Sequence, residues 1–294
     1  MIVMTRDKRI INPRLRAIAL EMEQEEINEY GVYVALAGEI GDPHNAGVLI
    51  KMAELEKEHA EFWAERTGVM LEPQKWRVRL MVMLAKVLGL MFVLKLMERT
   101  MGVAQEKYQL LMKKVPEVVR VSADFTKHEM ELLEILNEER LHFMGAIVMG
   151  LDSAFVGLIG MLAGLTLAMN DTSLISLAGL IAGISIALEA GVGEYVSKRT
   201  EDDAQALKAG LWTLGASAGT VMVLIAPFLL IKVGMLALLW TVVLAVGMMA
   251  VVNFYLAVVK NTKFGGRFRE MAMVTFGVMV VSGVLGLILR RLFF

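Results

Sequence analysis

The sequence predicts an all-α protein in two parts, a four-helix bundle over residues 1–140 and a five-helix transmembrane domain over residues 141–294. Three observations support this prediction. Charged residues are divided unevenly, with 43 in residues 1–142 and 18 in residues 143–294. The second part contains five apolar runs, each of about the 20 residues that cross a bilayer core. The first part has no alternating strand pattern, and its apolar residues recur at helical spacing.

The composition excludes several classes of protein. Hydrophobic residues make up 56 % of the 294 residues and the net charge is -1, so the chain is neither disordered nor equipped with a basic surface for nucleic acid. There is no cysteine, which excludes disulfides, thiolate-ligated zinc, iron–sulfur clusters and thiol nucleophiles. Residues 1–9 lack the apolar run of a signal peptide, so we expect the N-terminal part to face the cytoplasm.

Helix breakers divide the N-terminal part into four predicted helices. Gly41-Asp42-Pro43, Gly68 with Pro73, and Pro116 are the breaks, and the helices are expected at about 14–39, 45–67, 77–114 and 117–140. Leu80–Met97 is apolar but is interrupted by Lys86 and Lys95. We interpret it as a buried or membrane-apposed helix of the bundle, because a sixth span would put the two halves of the bundle on opposite sides of the membrane.

Acidic residues interrupt the apolar faces of these helices. Each such Glu taken alone is more often part-exposed or paired with Lys, and Glu-x-x-His is common by chance. Together they supply one carboxylate per helix and a histidine on two helices, the ligand set of a di-iron carboxylate bundle. Oxygen donors with imidazoles suit iron or manganese. The predicted ligands are Glu26, Glu56, His59, Glu98, Asp124 and His128.

Other polar residues in this part receive weaker assignments. Three acids are candidate additional ligands or ferry sites: Glu29, Glu129 and Glu131. A second group of acids is expected on solvated faces, among them Glu21, Glu23, Glu58, Glu61, Glu138 and Glu139. His44 and His142 are not expected to bind metal.

The five predicted spans cover about 143–169, 173–197, 209–231, 233–259 and 271–289. Their orientation follows from the Lys and Arg residues of the short connections. With the N-terminal part in the cytoplasm, eight of these cations lie inside and three outside. We therefore expect a multi-pass protein of the cell membrane with its C-terminus outside. Arg290 and Arg291 at that end do not fit this orientation, because basic residues are more frequent on the cytoplasmic side.

Three carboxylates lie within or near the ends of the first two spans. Asp152 and Glu189 are each about eight or nine residues from a cytoplasmic end, so both are expected ~12–14 Å deep and able to face each other. Intramembrane acids usually mark an ion pathway. Met149 is positioned to add a soft ligand, and Glu194 lies nearer the cytoplasmic mouth. The alternative is that these carboxyls are kept protonated by burial and only pack helices together.

Several motifs resemble known families. Gln24-Glu-Glu-Ile-Asn-Glu-Tyr30, Glu56-Lys-Glu-His59, Leu94-Lys-Leu-Met-Glu98 and His128-Glu129 are similar to the rubrerythrin-type ferritin-like domain. The membrane part resembles the vacuolar iron transporter family in Gly150-Leu-Asp152-Ser-Ala-Phe155, Leu167-Ala-Met-Asn-Asp-Thr-Ser173 and Gly193-Glu194-Tyr195-Val-Ser197. A fusion in this order resembles the membrane-bound ferritins over essentially the whole chain.

The resemblance implies a homodimeric five-span transporter in the lipid bilayer that moves Fe²⁺, or Mn²⁺, out of the cytosol in exchange for protons. The sequence departs from the families in three places. Glu189-Ala190 stands where transporters carry Ser-Met, and Asp124 stands where a Glu is usual. The link from Lys198 to Lys208 is too short for the acidic cytosolic insert of the plant and yeast-type transporters.

Three functions are consistent with these patterns. The leading hypothesis is an iron exporter whose N-terminal di-iron domain captures or oxidises the metal. A membrane-anchored di-iron oxidase or peroxidase is the rival, but rubrerythrin-type peroxidases pass electrons through a Cys-ligated centre that this chain cannot build. An iron sensor or storage scaffold is the third. An anchor does not require Asp152 and Glu189, and a sensor or storage scaffold requires neither flux nor turnover.

Overall fold

The structure is a computed structural model that describes residues 10, 12–99, 143–169 and 171–293. The chain divides into two compact units, residues 1–138 and residues 139–294. Within the described ranges the regular elements are α-helices and no β-strand occurs. The all-α class predicted from the sequence is thereby confirmed. Predicted ligands Asp124, His128, Glu129 and Glu131 lie outside the described residues.

The N-terminal unit begins with three helices, α1 (Pro13–Glu39), α2 (Pro43–Thr67) and α3 (Lys75–Leu88). α1 begins after Asn12, whose Oδ1 accepts hydrogen bonds from the backbone N–H groups of Arg14 at 3.0 Å and Leu15 at 3.2 Å. Asp42 caps α2 in the same way through the N–H of His44. Proline occupies the first position of both helices, where it has no N–H to leave unsatisfied. α2 ends at Gly68, which has a φ of 75°.

The predicted helix 77–114 is wrong as one continuous element. α3 ends at Leu88, and residues 90–99 form a separate helical segment. Gly89 has φ 98° and ψ 157°, a backbone conformation that side chains with a Cβ rarely adopt. The break is therefore encoded by this glycine, although the apolar pattern continues through it.

The break separates two environments within Leu80–Met97. α3 has no buried residue, whereas Phe92, Val93 and Leu94 in the following segment are at most 3 % exposed. The expectation of one continuous helix is thus corrected to an exposed helix followed by a buried segment.

Polar side chains of α1 hold the connection between α2 and α3. Glu23, predicted on a solvated face, is fully buried instead. Its carboxylate accepts hydrogen bonds from the Thr67 hydroxyl at 2.7 Å and from the N–H of Leu71 at 2.9 Å. Asn28 Oδ1 accepts from the N–H of Gln74 at 2.8 Å. Side chains of α1 thus accept hydrogen bonds from backbone N–H groups in the α2–α3 connection, which has no regular backbone pairing of its own.

The second unit contains five long apolar helices: α4 (Met144–Ala168), α5 (Thr172–Thr200), α6 (Ala206–Leu230), α7 (Gly234–Val259) and α8 (Phe264–Phe293). All five are long and apolar enough to cross a membrane, so the described residues contain the five spans that the sequence predicts. α8 begins seven residues before the predicted fifth span at 271, because its charged first turns remain helical. The chain is therefore a multi-pass α-helical membrane protein.

Glycines allow the backbones of this unit to approach closely. A Cβ added to Gly150 of α4 would lie 2.3 Å from the carbonyl oxygen of Thr213 in α6. A Cβ on Gly286 of α8 would lie 2.2 Å from the carbonyl oxygen of Gly164 in α4. Thr213 also donates its hydroxyl to the carbonyl of Ala146 at 2.9 Å. Small residues and hydroxyl bonds of this kind are the usual means of joining helices in a membrane.

Candidate metal centre and transmembrane carboxylates

Two neighbouring helices of the N-terminal unit bring three metal-binding side chains together. Glu26 comes from α1, and Glu56 and His59 come from consecutive turns of α2. Each offers one ligand atom, and these atoms lie within 4.8 Å of one another. His59 Nδ1 is 3.1 Å from Glu56 Oε2 and 3.9 Å from Glu26 Oε2. We call these three residues the α1–α2 cluster.

Helical periodicity explains why these residues converge. Glu26 follows Met22 by one turn on the buried face of α1, and Glu56 and His59 stand between the buried residues Met52 and Trp63 of α2. Glu26 is 1 % exposed and Glu56 is 5 % exposed. Carboxylates so far from water are costly unless a cation or hydrogen bonds stabilise them.

The chemistry of this donor set fits a divalent metal ion. Two carboxylates and one imidazole carry a net negative charge even when the histidine is protonated. Hard oxygen donors with imidazole suit Fe²⁺ or Mn²⁺. Glu29, one turn beyond Glu26, is 3 % exposed. It follows on the buried face of α1, as expected of an additional ligand at spacing i, i+3.

Glu98 does not join the α1–α2 cluster in the structure. Its carboxylate accepts a hydrogen bond from Lys95 Nζ at 2.6 Å, one turn earlier in the 90–99 segment. The side chain is 29 % exposed. The pairing is the ordinary role of a helical Glu near a Lys.

In the second unit Asp152 of α4 lines a cavity of about 570 Å³. The opposite wall comes from the end of the α7–α8 connection and the first turns of α8, with Lys263, Arg267 and Glu270. Val156, Thr262, Met271 and Val274 complete the lining. Two acids and two bases therefore face one space, and we call it the Asp152 cavity.

The other predicted path residues lie elsewhere in this unit. Glu189 is exposed on α5 and does not line the Asp152 cavity, so the described chain does not bring these two carboxylates together there. Glu194, five residues on, is 7 % exposed. Met149 is 45 % exposed, and its carbonyl accepts the Ser153 hydroxyl.

Sequence reasoning missed the charged wall opposite Asp152. Lys263 and Arg267 were counted only among the cytoplasmic cations that orient the protein, and Glu270 was given no role. A signal was present, since Arg267 and Glu270 are three residues apart and share a helical face just before an apolar span. Which helix that face meets is a tertiary property that spacing does not supply.

Comparisons with known proteins do not identify the chain. No protein-family model matches it, and neither a curated protein nor a solved structure does.

Proposed function

We propose that the protein exports a divalent metal ion, Fe²⁺ or Mn²⁺, from the cytosol across the membrane in exchange for protons. In this proposal the N-terminal unit is a ferritin-like di-iron domain that captures or oxidises iron, and the second unit is a transporter of the vacuolar iron transporter type. The observation that carries the proposal is the buried α1–α2 cluster in a chain that also has five membrane-spanning helices.

The capture step would use Glu26, Glu56 and His59, with Glu29 as an added ligand. Their donor atoms are close enough for one ion, and a bound cation would offset the charge of the buried carboxylates. The sequence pattern adds Glu98, Asp124, His128, Glu129 and Glu131 as further ligands. A second metal ion would need them, since two ions require more donors than the α1–α2 cluster provides. Bound iron would supply redox chemistry at this position.

The transport step would use Asp152. A carboxylate must be deprotonated to bind a divalent cation, so cation binding there releases a proton and proton return releases the cation. Glu194, nearer the cytoplasmic mouth, and Met149, one turn before Asp152, would bind the ion on its way. The size of the Asp152 cavity, about 570 Å³, is sufficient for a partly hydrated ion.

A homodimer would explain the position of Glu189. This carboxylate is exposed on α5. Apolar residues near it on the same helix are exposed too, with Ile184 at 56 % and Leu188 at 51 %. A carboxylate facing lipid is expensive, and such residues usually face a bundle interior or a water-filled path. A second copy packed on α5 would cover Glu189 and make it part of the path.

Metal flux in proteoliposomes with an imposed pH gradient tests the proposal. Asp152→Asn keeps the size of the side chain and removes its titration, so flux should fall to the level of empty liposomes while the N-terminal unit still binds metal. Asp171→Asn is the matched control, because Asp171 caps α5 through the N–H groups of Ser173 and Leu174 and lines no part of the cavity. It should transport like the wild type.

Three results would contradict the proposal. Wild-type flux in Asp152→Asn, with the same pH dependence, would remove Asp152 from the path. Absence of flux in the wild type, together with oxygen- or peroxide-dependent turnover of bound iron, would favour the membrane-anchored oxidase. Metal binding without flux or turnover would favour a sensor or storage scaffold.

A further inference from the structure

α3 presents an apolar stripe to its surroundings. Trp76, Leu80, Met83 and Val87 follow the spacing i, i+4, i+7 and i+11, which places them on one helical face. They are 66 %, 37 %, 54 % and 69 % exposed, respectively. Four large side chains aligned in this way form a contiguous patch, unlike the single exposed apolar residues that any surface carries.

A row of cations borders this stripe. Lys75, Arg79 and Lys86 are exposed and fall along one edge of the apolar face when the helix is viewed down its axis. The sequence between Glu72 and Glu98 contains five Lys and Arg residues and no acid. An apolar face with a tryptophan, bordered by basic residues, is the pattern of a helix that lies in a membrane interface.

α3 is fixed to α1 of the N-terminal unit by two ion pairs. The guanidinium of Arg77 donates two hydrogen bonds to the Glu25 carboxylate of α1, at 2.8 and 2.5 Å. This bidentate pair raises the pKa of Arg77 above its usual value. Lys86 pairs with Glu39 at the end of α1 at 2.9 Å. α3 therefore needs no rearrangement to present its apolar stripe.

We propose that α3 docks on the surface of a bilayer that contains anionic lipid, with Trp76, Leu80 and Met83 inserted at the interface and Lys75 and Arg79 against the headgroups. A 14-residue helix is too short to cross a bilayer. The five spanning helices of the same chain hold it at a bilayer. The local concentration of lipid is therefore high, and a modest affinity of α3 for lipid is sufficient for docking. The docking would operate whatever ion the protein carries.

Charge favours lipid over a second copy of the chain. In an antiparallel two-fold pair of α3 helices, the apolar stripes would meet and the edges that carry Lys75 and Arg79 would lie side by side, so these cations would repel each other. An anionic leaflet instead attracts each basic residue. We therefore commit to the lipid surface and treat self-association as an outcome to be tested.

Labelling of the full chain in lipid nanodiscs tests this docking. The chain has no cysteine, so Met83→Cys introduces a single site for an environment-sensitive fluorophore. Ile50→Cys is the matched control, because Ile50 is also apolar and 43 % exposed but lies on α2. The discs contain either phosphatidylcholine alone or phosphatidylcholine with about 30 % phosphatidylglycerol, as a model of an anionic leaflet.

We expect the label at position 83 to become protected from an aqueous quencher in anionic discs, and the label at position 50 to stay accessible. Adding Lys75→Gln and Arg79→Gln should lower the ratio of docked to undocked molecules about 30-fold, since each cation near an anionic surface contributes roughly a factor of five. High salt should weaken the protection in the same direction.

Two outcomes would overturn the proposal. Equal quenching at positions 83 and 50 in anionic discs would show that α3 stays in water. Protection at position 83 that is the same in both kinds of disc and in detergent, together with a short distance between spin labels on two copies, would show that a second copy covers the stripe.

Discussion

Neutralising Glu26 should remove the stabilisation that a metal ion gives to the N-terminal unit. Glu26→Gln preserves the shape of the side chain but replaces a charged ligand of the α1–α2 cluster by a weakly binding amide. The matched control is Glu23→Gln on the same helix. Glu23 is also buried, but its carboxylate binds Thr67 and the N–H of Leu71 instead of lying near His59.

The two substitutions should act on different quantities. Metal at a hundred times its dissociation constant stabilises the folded state by about 2.7 kcal/mol, which slows exchange through unfolding about 100-fold. If the loss of one charged ligand weakens binding 100-fold, this stabilisation falls to roughly 0.4 kcal/mol, or about a twofold effect. Glu23→Gln should cost about 1.5–3 kcal/mol with or without metal, because it weakens two charge-assisted hydrogen bonds.

Hydrogen exchange of the full chain, read on peptides from α1 and α2, separates these effects. Mn²⁺ is the suitable probe because it does not undergo the oxidation that complicates Fe²⁺. The quantity to compare is the ratio of exchange rates without and with metal, which should be about 100 for wild type and for Glu23→Gln but about 2 for Glu26→Gln. A ratio near 100 in Glu26→Gln would refute the α1–α2 cluster as a metal site.

Two further predictions concern the membrane unit. Gly286→Ala should destabilise it by roughly 1–3 kcal/mol in detergent, because the added Cβ meets the carbonyl of Gly164, whereas Gly277→Ala on the same helix has open space and should change little. Equal thermal unfolding of the two variants would contradict this helix contact. For topology, an impermeant thiol reagent applied to intact cells should label Phe293→Cys and leave Glu58→Cys unlabelled. The reverse pattern would place the N-terminus outside.

The membrane spans were predictable because their signal is local. A run of about 20 apolar residues is decided by the cost of burying polar groups in lipid, and that cost depends on composition alone. The exception is the start of α8. Arg267, Arg269 and Glu270 were excluded from the fifth span as polar, but charge does not interrupt a helix, and these residues extend it from Phe264.

The N-terminal unit shows what helical spacing supplies and where it fails. The apolar stripes placed Glu26, Glu56 and His59 on buried faces, and the structure brings these three together. The burial of Glu23 was not predictable in this way, since its partners Thr67 and Leu71 are more than 40 residues away. The break at Gly89 had a visible signal, because glycine in a helix costs about 1 kcal/mol relative to alanine.

The α1–α2 cluster and Asp152 differ in the charges around them. Under the proposed function, this difference predicts tighter metal binding at the α1–α2 cluster than at Asp152. The α1–α2 cluster combines two buried carboxylates with one imidazole, so the donor set itself favours an arriving cation. Asp152 faces Lys263 and Arg267 as well as Glu270, so a divalent ion there competes with cations that the chain already supplies. The first arrangement favours tight binding and the second favours weak binding. A capture site must hold its ion at low concentration, whereas a site within a path must release it in every cycle. The basic residues opposite Asp152 are therefore consistent with a transport path, because they lower the affinity that would otherwise trap the metal.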